Sequence, residues 1–195
     1  MARDPPTPHD VNSAMLRLLE MLKKVLPADL PEVWPYNYVH HGLRMRILSL
    51  DIGTKNLGWV LYDNKIKDVG VVDLSSYAKG TDYAKQVYLL SKTGFFDVDV
   101  ILVEIQMRSC MKTIANSIRC FYWEKTIRIA PQSVRRHFKT ITKKHSSNKR
   151  AHLALLSEMD IPAKIVAKIS TFKKKDDIAD AIVQMMYYLQ SSRYR

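Results

Sequence analysis

The chain has 195 residues, with 31 Lys and Arg against 19 Asp and Glu, a formal net charge of +12 and a pI near 9.7. Hydrophobic residues make up 47%, enough to bury one good core, which excludes wholesale disorder; no apolar run approaches the roughly 20 residues of a membrane-spanning helix, which excludes that class too. Two cysteines, Cys110 and Cys120, make no disulfide framework, no Cys/His cluster has zinc spacing, and MARDPPTPHD lacks a signal-like apolar stretch, so the expected setting is reducing and intracellular, with both thiols buried.

Pro5, Pro6 and Pro8 predict an irregular start. Met15, Leu18, Leu19, Leu22, Val25 and Leu26 recur at helical spacing and predict an amphipathic helix over 11–26, with Asp10 or Ser13 to cap it. Pro27, Pro31 and Pro35 end that helix, so residues 1–44 read as an N-terminal extension ahead of a main domain over 45–195. That domain opens with a strand from Met45 that ends on Asp51, a turn at 53–58, a strand at Trp59–Tyr62, a turn signal at Asp63-Asn64 and a strand over 66–74. A helix is predicted over 82–92, a buried strand from Val98 that ends on Glu104, and a helix over 111–123. A short strand at 127–130 leads through Pro131 into another helix. A basic loop over 139–150 precedes helices at about 149–159 and 162–170, and a last helix runs over about 176–190. The order βββαβαβα, then further helices, predicts an α/β domain with a central mixed five-stranded sheet flanked by helices. This is the element order of the RNase H-like fold.

The positive charge is localised. Residues 1–45 hold 5 basic and 5 acidic side chains, residues 46–104 hold 7 and 8, residues 105–175 hold 17 and 3, and residues 176–195 hold 2 and 3. The third segment alone therefore carries +14, the pattern of a phosphate-binding surface rather than of an evenly solvated one. Lys143, Lys144, Lys149, Arg150 and the run Lys173, Lys174, Lys175 are its candidate DNA-backbone contacts; the plainer reading is a set of lysine-rich exposed helices. His137, His145 and His152 lie in the same segment and are expected at the surface or beside phosphate, with a general base as the alternative.

Asp51 and Glu104 end two strands that, as sheet neighbours, would present both acids at one end. Asp177 and Asp180 are three apart and share a helix face, whereas Asp176 points about 100° away. Ala181 continues the Asp177 stripe, so these acids sit where the helix meets the sheet. Carboxylates crowded at such a seam are costly, and a divalent cation offsets the cost; oxygen ligands suit Mg²⁺ or Mn²⁺, and two such ions clamp a phosphodiester. Each acid also has a plainer use: Asp51 in its turn, Asp176 or Asp177 as a helix cap, Asp180 as a first-turn dipole partner, Glu104 as a partner of Arg108.

Leu48-Ser-Leu-Asp-Ile-Gly-Thr-Lys-Asn-Leu-Gly58 resembles the first-strand motif of RuvC-type Holliday junction resolvases, most closely their poxviral and fungal mitochondrial branches. Val103-Glu-Ile-Gln-Met-Arg-Ser109 resembles the second motif of that family and Lys175-Asp-Asp-Ile-Ala-Asp-Ala181 the third, in the same order over about 130 residues. The resemblance implies an RNase H-like nuclease in which Asp51, Glu104, Asp177 and Asp180 are the catalytic, metal-binding acids, with two Mg²⁺ (or Mn²⁺) ions per site. It places Lys55, Gln106 and Arg108 near the scissile phosphate or the junction. It implies a homodimer that makes symmetric nicks in branched DNA, with the 111–123 helix near the dimer interface; core packing is the alternative for that helix.

Three other readings compete. One is an RNase H-like nuclease for RNA or RNA–DNA hybrids, and another a non-catalytic junction-binding protein. The third is an actin-like sugar kinase, whose phosphate loop Asp51-Ile-Gly-Thr-Lys55 also resembles, but which needs about twice this length. The resemblance points to a large DNA virus, and so to a viral factory in a host cell, or to mitochondria. A mitochondrial leader is poor in acids, and Asp4, Asp10, Glu20 and Asp29 fit one badly.

Overall fold

The computed structural model describes residues 45–140 and 145–192, with the backbone alone for 145–150 and 192. The helix expected over 11–26, the whole 1–44 extension, Lys143 and Lys144 lie outside the described residues.

Five strands form one sheet: β1 (Arg46–Ile52), β2 (Asn56–Asp63), β3 (Lys65–Asp73), β4 (Val100–Glu104) and β5 (Thr126–Ile129). Their order is β3-β2-β1-β4-β5. The β1–β2 and β2–β3 pairs are antiparallel, and β4 and β5 add in parallel on the other side of β1, the mixed sheet expected. Asn64 makes the β2–β3 turn at φ 59, a conformation Asn tolerates better than most residues.

Among the described residues six α-helices flank the sheet: α1 (Tyr83–Ser91), α2 (Ser109–Phe121), α3 (Pro131–His137), α4 (His145–Leu156), α5 (Ala163–Thr171) and α6 (Lys175–Ser192). Asp82 caps α1 by accepting from the Lys85 amide, and Pro131 stands in the first turn of α3, where its missing N–H costs nothing. α4 begins at His145, not near 149, so Lys149 and Arg150 belong to a helix and the basic loop is shorter than predicted. Ser146, Ser147 and Asn148 read as loop residues, yet these types are also at home in a helix's first turn.

The period-2 alternation of the strands divides the core into two layers. Leu48, Leu50, Ile52, Ile101 and Val103 pack under α1 and α2 with Val87, Leu90, Ile114 and Ile118. Ile47, Val60, Leu102 and Ile129 pack on the opposite face with Val134 of α3, Ile165 and Ile169 of α5, and Ile178, Ala181, Ile182 and Met185 of α6. By the same alternation Asp51 and Glu104, in phase with Ile47 and Leu102, belong to the α6 face.

Two contacts seat α6. Gln184, buried, donates from Nε2 to the Ser49 hydroxyl at 2.9 Å and to the Leu50 carbonyl at 3.3 Å. Gly58, opposite Asp51 in the β1–β2 register, lets the helix come within backbone distance of the sheet: a Cβ there would lie 2.5 Å from the Asp177 carbonyl oxygen and 2.9 Å from the Asp177 Cβ. Gly58→Ala must therefore push the start of α6 outward. It is expected to cost about 1–3 kcal/mol of stability, as overpacking does, read as a lower midpoint in denaturant unfolding. An unchanged midpoint would show that the approach is not tight.

Candidate active site

The acids converge because of strand register. Leu50 pairs with Val103 across the parallel β1–β4 ladder, so the next residues, Asp51 and Glu104, emerge side by side at one sheet end. Gly58 on β2 faces Asp51 and underlies Asp177. Asp177 and Asp180, in the first turns of α6, complete the set. All four acids line one open cleft of about 640 Å³.

Cations and amides rim it. Lys55 comes from the β1–β2 turn, where the Gly53 amide donates to the Asn56 carbonyl and a Cβ on Gly53 would sit 2.7 Å from that oxygen. Gln106 and Arg108 follow β4, Arg135 comes from α3, and Lys174 precedes α6. Met107, between Gln106 and Arg108, is 82% exposed at the rim. Lys173 and Lys175, predicted with Lys174, are exposed but do not border the cleft.

Glu104 does not pair with Arg108; its Oε2 accepts from Gln106 Nε2 at 3.1 Å. Burial raises the Glu104 pKa above the ordinary carboxylate value, and the negative charge of Asp180 raises it further; the Gln106 hydrogen bond, Arg135 and His152 pull it back. His152 is buried, not at the surface. Its Nδ1 lies 2.6 Å from Asp180 Oδ1 and its Nε2 lies 3.3 Å from the Thr140 hydroxyl. The imidazole thus ties α4 to the acid at the bottom of α6 and holds one carboxylate oxygen in a fixed direction.

Arg135 is the cleft residue that the sequence reading missed, and His152, expected at the surface or beside phosphate, is instead the buried partner of Asp180. His152 stands 28 positions from Asp180, with no spacing to connect them, and Arg135 is one cation among many in the basic segment. Cys110 is half-buried and Cys120 exposed, contrary to the expected buried thiols: Cys120 lies off the stripe that α2 turns inward through Ile114 and Ile118, and Cys110 stands at the end of that stripe, in the first helical turn. Tyr122 packs against Phe96 at 5.0 Å between ring centroids, and Trp123 is 60% exposed.

The donor set is carboxylate oxygen throughout. Among the described residues no group of three or more His, Cys, Asp or Glu side chains is arranged to hold a metal ion by itself. The open arrangement suits Mg²⁺, which keeps much of its water and is held by one or two carboxylates together with substrate phosphates. The mutual repulsion that helps raise the Glu104 pKa is what a divalent cation offsets.

A family model described as Poxvirus A22 protein matches residues 45–191. The fowlpox virus resolvase solved with substrate Holliday junction DNA is similar in fold, with a TM-score of 0.61 and 20% identity over 75% of this chain and 98% of that one. A structure of the fowlpox virus Holliday junction resolvase gives a TM-score of 0.59 and 21% identity over 75% and 99%. No curated protein sequence matches.

Because Glu104 holds its proton more tightly in the folded state, ionising it costs stability. The cost is absent below the unfolded-state pKa and complete above the folded one. Glu104→Gln, melted in EDTA, is expected to be more stable than wild type at pH 8, with the gain shrinking toward pH 5. A gain that is equal at both pH values would mean that Glu104 carries no burial penalty.

Proposed function

This chain belongs to the Poxvirus A22 protein family, and on that premise we propose that it is a structure-selective DNA endonuclease that resolves four-way (Holliday) junctions. The observation that carries the reading is the meeting of four acids from three separate elements in one cation-rimmed cleft. Likeness to the fowlpox virus resolvase fold supports it.

The reaction is phosphodiester hydrolysis: water adds to phosphorus, the bond to the 3′ oxygen breaks, and that oxygen takes up a proton, leaving a 5′-phosphate. Asp51, Glu104, Asp177 and Asp180 would hold Mg²⁺. When bound, the metal lowers the pKa of water and stabilises the leaving oxygen. Lys55, Arg108, Arg135 and Lys174 hold the strand by its backbone charge, a contact that positions without reading sequence. Gln106 fixes one oxygen of Glu104 and His152 one oxygen of Asp180, so each acid presents its other oxygen to the cleft. Both are positioning residues. The excess of 17 basic over 3 acidic side chains across residues 105–175 supports broad contact with DNA around this small negative pocket. Lys173 and Lys175, exposed beside Lys174, extend that contact beyond the cleft, and Lys143, Lys144, Lys149 and Arg150 are read from the sequence as further DNA contacts. One cleft per chain and a two-fold substrate with two strands to cut call for a C2 homodimer.

A mobile four-way junction incubated with Mg²⁺ is expected to yield paired nicks at symmetric positions, and none with EDTA. Asp177→Asn is expected to reduce cleavage at least 10³-fold, as loss of a group acting in a concerted site does, while junction binding is kept. Equal or faster cutting of an RNA–DNA hybrid duplex would replace the junction reading with the hybrid one.

A further inference from the structure

A second pocket lies on the far side of Glu104. It has a volume of about 240 Å³ and shares Glu104 and Gln106 with the acidic cleft, so the two adjoin at the end of β4. Its other charged lining residues are Lys112, Arg119 and Arg128. Lys112, Asn116 and Arg119 stand at i, i+4 and i+7 on α2 and so share one helix face. Arg128 pairs in register with Val103, whose side chain packs on the α2 layer, so β5 turns Arg128 toward the same place. All three cations are exposed, and among the described residues none pairs with a carboxylate. The one acid in the wall is Glu104, with an oxygen already engaged by Gln106.

We infer that this pocket of Lys112, Arg119 and Arg128 binds a backbone phosphate of the same DNA strand whose scissile phosphate lies among the four acids. The inference rests on the nuclease reading above and deepens it. Three cations gathered against one acid, Glu104, leave the pocket with a positive surplus that does nothing for the fold, and like charges placed together repel. A phosphate relieves that repulsion. The guanidinium fork matches two phosphate oxygens, and the Asn116 amide adds a neutral donor. A strand carries phosphates on both sides of the one being cut, so a basic pocket that shares a wall with the cleft is where a neighbouring phosphate falls. Held there, the strand cannot slide past the acids, and the cut stays at one position.

The test compares the full chain with Arg119→Gln/Arg128→Gln and with Lys65→Gln/Lys79→Gln, which removes two exposed cations elsewhere. Junction affinity is measured by fluorescence anisotropy in EDTA over a range of salt. Each lost phosphate contact lowers the log–log salt slope by roughly 0.9, so the pocket variant is expected to be shallower than wild type by about one to two, and the control to match wild type. With Mg²⁺, its nicks are expected to spread over neighbouring positions. Lys112→Gln is expected to move in the same direction by less, and decides the matter should the double variant not fold. A slope equal to wild type, or a fall matched by the control, overturns the inference. So does a changed oligomeric state with an unchanged slope, which would assign the pocket to a protein contact. Wild-type protein that binds plain duplex as tightly as the junction overturns the junction reading alone, and the same slopes measured on duplex then decide the pocket. Protein that binds neither DNA overturns both.

Discussion

The seating of α6 on β1 and β2 is the constraint on which the site depends. Asp177 and Asp180 ride on that helix, while Asp51 and Glu104 are fixed to the sheet. The distance between the two pairs is set by how closely helix and sheet approach. Gly58 permits an approach at which even a Cβ would collide with the Asp177 backbone. Gln184, two turns further on, fixes the rotation and height of the helix through Ser49 and Leu50. Ile178, Ala181, Ile182 and Met185, all fully buried, supply the apolar surface that drives the docking. The directional bonds then choose one docking among those that burial alone would accept.

Such close seating carries an electrostatic cost. It brings carboxylates into partial burial beside one another, and Glu104 registers it as a raised pKa. For two of the acids the partners are side-chain groups: an amide for Glu104 and an imidazole for Asp180. Lys55, Arg108, Arg135 and Lys174 stay at the rim, where they favour an anion without neutralising the acids outright. The cleft is thereby negative at its base and positive around it, an arrangement that takes both a cation and a phosphate.

Much of this was legible along the chain. The three-strand meander, the buried strand that ends on Glu104 and the D-x-x-D helix are local patterns, and local patterns depend on residues a few positions apart. Asp51 and Glu104 were readable as a pair because strands that end on an acid in parallel neighbours place both acids at one end. The start of α4 was misread because Ser and Asn serve loops and first helical turns alike. The burial of Cys110 and Cys120 was misread because it depends on which stripe of α2 meets the sheet.

Spacing, charge and motif order, all readable along the chain, were enough for the sequence by itself to determine the element order, the mixed sheet and the position of the basic segment, and to single out the four acids as candidates. Tertiary structure alone decided the partners. That His152 holds Asp180, that Gln106 rather than Arg108 meets Glu104, that Gly58 lies under Asp177, and that Lys112, Arg119 and Arg128 line one pocket are facts of packing. Most of these join residues far apart in the chain, brought together only when helices dock on the sheet, and no periodicity in a single sequence encodes which distant side chains that docking will make neighbours.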